Sequence, residues 1–191
     1  MPEVATGTTY FGGKGAEFTE RTLELAKRRA EELGIRSVVV ASTRGDTGIK
    51  AAELFEGYNL IVVTHCTGFQ APDAQELLPE NRRAIEGKGA KILTMTHAFA
   101  GVSRAVRRKW DTAQLGDIIA GVLRIFGEGM KVVVEIALMA ADAGLIRTDE
   151  EIVAIAGSGG GADTAVVIKP ANAQDLFDLR VSEIICKPRQ P

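Results

Sequence analysis

The chain has 191 residues, 46% of them hydrophobic, and a net charge of −2 at pH 7. This length fits one domain, residues 1–191, with a core of its own. A net charge of −2 gives no indication of the positive potential that nucleic-acid binding needs. No apolar run is long enough to cross a bilayer. Cys66 and Cys186 are spaced neither for zinc nor for a disulfide framework, and no signal pattern begins the chain. We therefore expect a cytoplasmic protein that binds neither nucleic acid nor membranes.

Strands and helices are predicted to alternate after a loose end over residues 1–6. Apolar spacing and the glycine and proline boundaries predict these elements in chain order: strand 8–11, helix 19–33, strand 38–41, helix 47–56, strand 60–64, helix 80–88, strand 91–95, helix 112–126, helix 131–143, strand 151–156, strand 164–168 and edge strand 184–186. The connection before strand 164–168 is short enough for a hairpin, so we expect that strand to be antiparallel to its neighbour. The alternation predicts an α/β fold, a three-layer α/β/α sandwich around a mixed, mainly parallel sheet.

Two parts of the second half are less regular. Residues 99–110 hold a basic cluster and are expected to be a loop or a short helix with a solvated face. Helix 112–126 has one apolar stripe, and helix 131–143 is apolar nearly all round, as buried helices are. Glu135 is the odd residue of that second helix, and we expect it to reach the surface.

The segment from Ser42 to Thr47 joins a buried strand to a helix. It supplies three hydroxyl groups, the Arg44 guanidinium and a glycine. Free backbone N–H groups and the helix dipole favour the binding of anions at the N-terminus of a helix, and phosphate is the expected ligand. The alternative interpretation is that Ser42, Asp46 or Thr47 only caps the helix.

Polar loops follow the other predicted strands as well, at 65–70, 96–97 and 157–163. Ligands of such sheets bind beyond the carboxyl ends of the strands, so we expect these loops to form one site. The glycine-rich loop 157–161 either allows a ligand to approach its backbone closely or is a flexible hairpin. Phe69 could stack on a flat ring or pack in the core. Cys66 and His97 could form a nucleophile pair for covalent catalysis, with His65 as a competing neighbour. Cys66 and the two histidines could also bind a metal ion. Both are weaker alternatives.

Two segments resemble the C-terminal α/β domain of pyruvate kinase. Residues 41–47 resemble its effector-phosphate loop, in which a strand runs into a Thr/Ser-x-Ser-Gly-x-Thr/Ser loop and a helix. Residues 140–168 are similar to the helix, strand, glycine-rich loop and strand that close that domain. The tryptophan and arginine of that closing loop are absent here, which argues against an effector like fructose bisphosphate.

The whole chain is similar to a family of small, largely archaeal proteins that resemble this domain. The motifs that carry the similarity are Val39-Val40-Ala41-Ser42, Gly45-Asp46-Thr47, Thr67-Gly68-Phe69, Val134-Glu135-Ile136, Met139-Ala140-Ala141-Asp142, Gly161-Ala162-Asp163-Thr164-Ala165-Val166-Val167-Ile168 and Glu183-Ile184-Ile185-Cys186. The resemblance implies a five-stranded mixed core sheet with one antiparallel strand and additions at the ends. It also implies flavin mononucleotide (FMN) as the ligand.

The resemblance does not imply kinase activity, because pyruvate kinase does its chemistry in a separate barrel of roughly 200 or more residues. We expect a protein that binds FMN or another phosphorylated small molecule. A flavin-dependent oxidoreductase and a regulatory, partner-binding module remain alternatives, and the oligomeric state is open, a homo-oligomer included. The candidate binding residues are Ser42, Thr43, Arg44, Gly45, Asp46, Thr47, Thr64, His65, Thr67, Gly68, Phe69, Thr96, His97, Gly157, Ser158, Gly159, Gly160, Gly161, Asp163 and Thr164. No metal ligands and no catalytic residues are assigned.

Overall fold

The computed structural model describes residue 3 and residues 5–190. Residues 1, 2, 4 and 191, which belong to the predicted loose end and to the predicted domain 1–191, lie outside the described part. The elements in chain order are β1 (Thr9–Phe11), α1 (Thr19–Leu33), β2 (Ser37–Ala41), α2 (Asp46–Leu54), β3 (Asn59–Thr64), α3 (Pro79–Gly87), β4 (Lys91–Thr94), α4 (Gly101–Trp110), α5 (Leu115–Arg124), α6 (Glu128–Asp142), β5 (Ile152–Ala156), β6 (Thr164–Lys169) and β7 (Arg180–Pro188). Short 3₁₀ turns at Ala16–Phe18 and Ala173–Asp178 precede α1 and β7.

The strands form one seven-stranded sheet in the order β1-β7-β6-β5-β2-β3-β4. Strand β6 is antiparallel to both of its neighbours, β5 and β7, and every other pairing is parallel. The mixed, mainly parallel sheet and its antiparallel strand are therefore confirmed. The prediction that residues 184–186 form an edge strand is wrong, because β1 pairs with the outer side of β7 and makes the edge instead.

Helices cover both faces of the sheet, as the alternation of side chains along β2 illustrates. Val38 and Val40 pack with α1, α2 and α3, whereas Val39 packs with α5 and α6 on the opposite face. All three valines are fully buried, as expected of a central parallel strand. This arrangement confirms the three-layer α/β/α architecture.

Three details of the helical layer differ from the sequence-based expectations. Residues 101–110 form a full helix, α4. The apolar stripe predicted for 112–126 is only partly covered, since Leu115, Ile118 and Val122 are each more than half exposed. Glu135 on α6 is 4% exposed and does not reach the surface, because Phe99 and Lys131 pair with its carboxylate inside the protein.

None of the described helices is both long and apolar enough to cross a membrane.

Candidate functional site

The loops that follow β2, β3, β4 and β5 meet at one edge of the sheet, around a cleft of about 840 Å³. Fourteen of the candidate residues line this cleft: Ser42, Thr43, Arg44, Asp46, Thr47, Thr64, His65, Phe69, His97, Gly157, Ser158, Gly159, Gly160 and Gly161. Six do not: Gly45, Thr67, Gly68, Thr96, Asp163 and Thr164. The structure thus brings the four predicted loops together and separates residues that face the cleft from residues that shape it.

The start of α2 forms one wall of the cleft. Gly45 has a φ of 104°, and a Cβ there would lie 2.5 Å from that of Asn81, so the turn requires glycine. The Asn81 side chain also donates to the Arg44 carbonyl at 2.9 Å, which ties the turn to α3. Ser42 Oγ accepts a hydrogen bond from the Gly48 N–H at 3.0 Å, although the N-cap residue of α2 is Gly45. Ser42 thus binds one N–H of the first helical turn from outside the helix, and it lines the cleft together with Thr43, Arg44 and Thr47.

His65, which follows β3 directly, has a hydrogen-bond partner at each of its ring nitrogens. His65 Nδ1 lies 2.8 Å from Glu76 Oε2, and His65 Nε2 lies 3.4 Å from Thr43 Oγ1. Gln75 Nε2 donates to the His65 carbonyl at 3.1 Å, so the loop that carries Glu76 is fastened to β3. The ring orientation is thus fixed by contacts from two neighbouring segments.

Phe69 lies in a cluster of flat groups. Its ring centroid is 4.0 Å from that of His65 and 5.1 Å from that of His97, and the Arg104 guanidinium carbon lies over the ring at 4.4 Å. These three groups contact Phe69 closely, so a ligand ring would meet the cluster through His65, His97 or Arg104. Phe69 supports those groups, which is closer to the packing alternative than to a free stacking platform.

A buried ion pair on α6 forms the floor of the cleft. Lys131 Nζ donates to Glu135 Oε2, and both side chains are nearly inaccessible to solvent. His97 Nδ1 lies 3.9 Å from the same carboxylate oxygen. Burial lowers the pKa of His97, and the Glu135 charge opposes that effect only in part. The imidazole is therefore favoured in its neutral form beside an internal charge pair.

The glycine-rich loop is anchored by Asp163, which is fully buried. Its carboxylate accepts hydrogen bonds from Gly15 N at 2.9 Å, Ser158 N at 3.1 Å and Thr164 Oγ1 at 2.8 Å. A Cβ at Gly161 would approach Thr19 Oγ1 to 2.4 Å, so the loop packs directly on the start of α1. Asp163 and Thr164 thus shape the loop and hold it against α1, while a Cβ at Gly159 or Gly160 would meet nothing within 4 Å.

Sequence reasoning missed most of the charged residues of the cleft. These are Lys50, Glu76, Arg104, Arg124, Glu128, Lys131 and Glu135. One signal could have identified part of the set: Lys131 and Glu135 are four residues apart in a helix that is otherwise mostly apolar, a spacing that pairs charges on one face. Glu76 lies in an irregular loop, and the basic cluster that includes Arg104 is expected to face solvent, so only the tertiary structure places these two residues in the cleft.

Two alternatives from the sequence gain no support from the geometry. Cys66 is half-buried but does not line the cleft, so a Cys66–His97 nucleophile pair is not formed there. Within residues 3 and 5–190, no three His, Cys, Asp or Glu side chains are grouped as a metal site.

The fold and cleft define an α/β domain of the doubly wound type, with a cleft at the carboxyl ends of its parallel strands. Residues 20–168 match the family model described as pyruvate kinase, alpha/beta domain. The chain therefore belongs to the pyruvate kinase α/β domain family.

Solved structures of pyruvate kinase from Cryptosporidium parvum are also similar to the chain. The ADP complex of that enzyme is 13% identical, with a TM-score of 0.44 over 83% of this chain and 25% of that chain. A second structure of a pyruvate kinase from the same organism is 13% identical, with a TM-score of 0.41 over 81% and 24%. The chain spans about a quarter of the length of the enzymes it matches.

Proposed function

We propose that the protein binds FMN or a similar phosphorylated small molecule in the cleft, and that it has no pyruvate kinase activity. The proposal rests on one observation: the N-terminus of α2 and two buried polar atoms without hydrogen-bond partners among the described residues lie in the same cleft. Its volume, about 840 Å³, falls within the roughly 300–1,000 Å³ typical of small-molecule sites.

The phosphate subsite of this proposal is the start of α2. The first N–H groups of a helix lack intrahelical acceptors, and the helix dipole favours an anion there. The Thr47 hydroxyl adds a further donor. Within the described residues the Arg44 guanidinium has no ion-pair partner, whereas Lys50 is paired with Glu20 at 2.7 Å. Arg44 is therefore the cation best placed to contact a phosphate.

The other end of the ligand would lie toward Arg104 and Ser158. Arg104 Nε and Ser158 Oγ are both buried, and neither has a hydrogen-bond partner among the described residues. Unpaired buried polar groups are costly, so a ligand acceptor at this end would relieve the cost. An FMN ring carries carbonyl oxygens and ring nitrogens that suit such donors.

The discriminating experiment compares FMN with riboflavin, which lacks the phosphate. The visible spectrum of the purified protein gives a first reading of bound flavin, and calorimetry gives affinities. Arg44→Ala combined with Thr47→Val should weaken FMN binding about 10-fold or more, since a hydrogen bond to a charged group contributes about 1.5–3 kcal/mol. Riboflavin affinity should hardly change.

The matched control is Arg108→Ala with Thr112→Val, two exposed residues outside the cleft lining. This variant should bind FMN as the unaltered protein does. Equal FMN affinity in the two double variants would contradict the phosphate subsite. Formation of ATP from phosphoenolpyruvate and ADP by the pure protein would contradict the absence of pyruvate kinase activity. If flavin binds, photoreduction followed by turnover with an electron acceptor would favour the oxidoreductase alternative.

A regulatory, partner-binding module is a second candidate, favoured by the apolar face of α5. The end of α4, α5 and the residue that follows α5 carry five apolar side chains that are more than half exposed: Trp110, Leu115, Ile118, Val122 and Ile125. Exposed apolar surface of this kind is common at protein interfaces. Light scattering with size-exclusion chromatography tests this candidate, and Ile118→Glu with Val122→Glu should dissociate any complex formed through that face.

A further inference from the structure

Three side chains in the cleft are arranged as hydroxyl, imidazole and carboxylate. They come from separate segments: Thr43 from the turn before α2, His65 from the loop that follows β3, and Glu76 from the loop before α3. The distances are 3.4 Å from Thr43 Oγ1 to His65 Nε2 and 2.8 Å from His65 Nδ1 to Glu76 Oε2. Such contacts are often looser in enzymes without substrate than in their complexes.

The chemistry of these groups sets the direction of each hydrogen bond. An ionised carboxylate accepts only, so the 2.8 Å contact with Glu76 requires a proton on His65 Nδ1. In the neutral ring Nε2 then carries the lone pair, and the Thr43 hydroxyl is the donor to it. The imidazole is therefore held in the tautomer that can take the proton of Thr43.

We propose that Thr43, His65 and Glu76 form a nucleophilic relay that cleaves carboxylic esters in the cleft. Thr43 Oγ1 is the nucleophile, His65 is the general base and then the general acid, and Glu76 orients the ring and stabilises its protonated form. The assignment does not depend on FMN binding, because it stands on the contacts of these three residues.

The reaction balances with ester and water as its only reactants. Thr43 Oγ1 attacks the carbonyl carbon while its proton moves to His65 Nε2, and the carbonyl oxygen becomes an oxyanion. The bond to the alkoxy oxygen then breaks, and the alcohol leaves with the proton from His65. Water attacks the acyl-Thr43 ester by the same route, which releases the carboxylic acid and restores the hydroxyl.

The turn that carries Thr43 also supplies stabilisation for the oxyanion. Thr43 follows β2 and precedes α2, so the free N–H groups at the helix start lie next to the nucleophile in the chain. On the other side, Phe69 packs against His65 with 4.0 Å between ring centroids and limits access of water to that face. Since the same N–H groups are proposed to hold a phosphate, inorganic phosphate should compete with the ester.

The first experiment labels the full chain with a fluorophosphonate, which reacts with activated hydroxyl groups. Thr43 Oγ1 should attack the phosphorus, fluoride should leave, and mass spectrometry should locate the adduct on Thr43. His65→Asn should reduce the labelling rate about 10²–10⁴-fold, the usual contribution of a general base. The exposed control Thr112→Val should be labelled as fast as the unaltered protein.

Steady-state hydrolysis of p-nitrophenyl acetate separates the roles. Thr43→Val should abolish the hydrolysis, and Thr43→Ser should restore it. Glu76→Gln should lower kcat with little change in KM, because the amide still contacts the ring but cannot stabilise its charge. Thermal unfolding of each variant confirms that it is folded.

Absence of the adduct, an adduct on another residue, or labelling that is unaffected by His65→Asn would overturn the relay. FMN titration of the same samples keeps the two proposals distinct. Flavin binding without ester cleavage rejects only the relay, and ester cleavage without flavin binding rejects only the proposed ligand.

Discussion

Glu135 Oε1 on α6 accepts a hydrogen bond from the backbone N–H of Phe99, at 3.2 Å. The other oxygen of the same carboxylate pairs with Lys131 and faces His97. One buried side chain thus joins α6 to the loop after β4, and that loop carries a wall of the cleft. The charge that the sequence suggested was solvent-exposed is an internal brace.

Removal of this brace should destabilise the protein. Glu135→Leu leaves the Lys131 ammonium buried without its partner, which typically costs about 3–5 kcal/mol. Urea denaturation should show a lower midpoint with an unchanged m-value. The double variant Glu135→Leu with Lys131→Met should recover much of the loss, since both charges are gone; a double variant no more stable than the single one would contradict this account.

Two helical glycines should respond to alanine with opposite signs. A Cβ at Gly129 would lie 2.2 Å from Thr164 Oγ1, whereas a Cβ at Gly121 meets nothing within 4 Å. Gly129→Ala should cost about 1–3 kcal/mol through overpacking. Gly121→Ala in the exposed part of α5 should be neutral or stabilising by up to about 1 kcal/mol. Denaturation curves of the two variants measured side by side check the prediction, and a shift of the same size and sign in both would refute it.

The stability of the protein should depend on pH through His97. Burial lowers its pKa in the folded state below the ordinary value of 6.5, so between these two values the unfolded chain binds more protons. The contribution of neutral His97 to the free energy of unfolding is therefore complete above about pH 6.5, and it is lost as the pH falls toward the pKa of His97 in the folded state. The groups that act on the ring are Glu135, His65, Lys131 and Arg104.

His97→Asn removes this titration, so the difference in free energy of unfolding between variant and parent should change with pH below about 6.5. Above that value the difference should be constant. A difference that is constant down to pH 5 would show that His97 titrates alike in both states.

The two thiols should differ in reactivity. Cys186 is fully buried, and burial raises its pKa to about 12, so almost no thiolate forms near pH 8. Cys66 is partly exposed. One thiol per chain should react with a disulfide reagent in the native protein and two in denaturant. Cys66→Ser should eliminate the fast reaction, and a fast thiol that remains in that variant would refute the assignment.

Much of the fold is readable from the sequence because its signals are local. The valine run 38–40 identifies a central strand, and the short connection 157–163 predicts the antiparallel β6, which the structure confirms. The loops at 42–47 and 65–70 are predicted to lie at one edge because parallel strands end together there. Their assembly into one cleft follows from the order of the sheet.

The remaining errors concern long-range contacts. The pairing of β7 with β1 joins opposite ends of the chain, so no local pattern distinguishes an internal strand from an edge strand. The sequence predicts Glu135 at the surface because an i,i+4 pair with Lys131 also fits an exposed helix face, whereas the contacts with Phe99 and His97 come from a distant loop. The amphipathic pattern of α5 likewise does not predict that Leu115 and Ile118 are exposed, because it shows that a helix face is apolar but not whether another element covers that face.

The sequence by itself determined the fold class and most of the elements, since strand propensity, helix periodicity and turn chemistry act over a few residues. It also predicts an anion site at the turn before α2. Only the tertiary structure decided that Glu76 meets His65 at 2.8 Å, that Arg104 lies over Phe69, and that Asp163 anchors the glycine loop. Those contacts depend on the relative placement of whole elements by the packed core, and a side chain's chemistry in the cleft depends in turn on them.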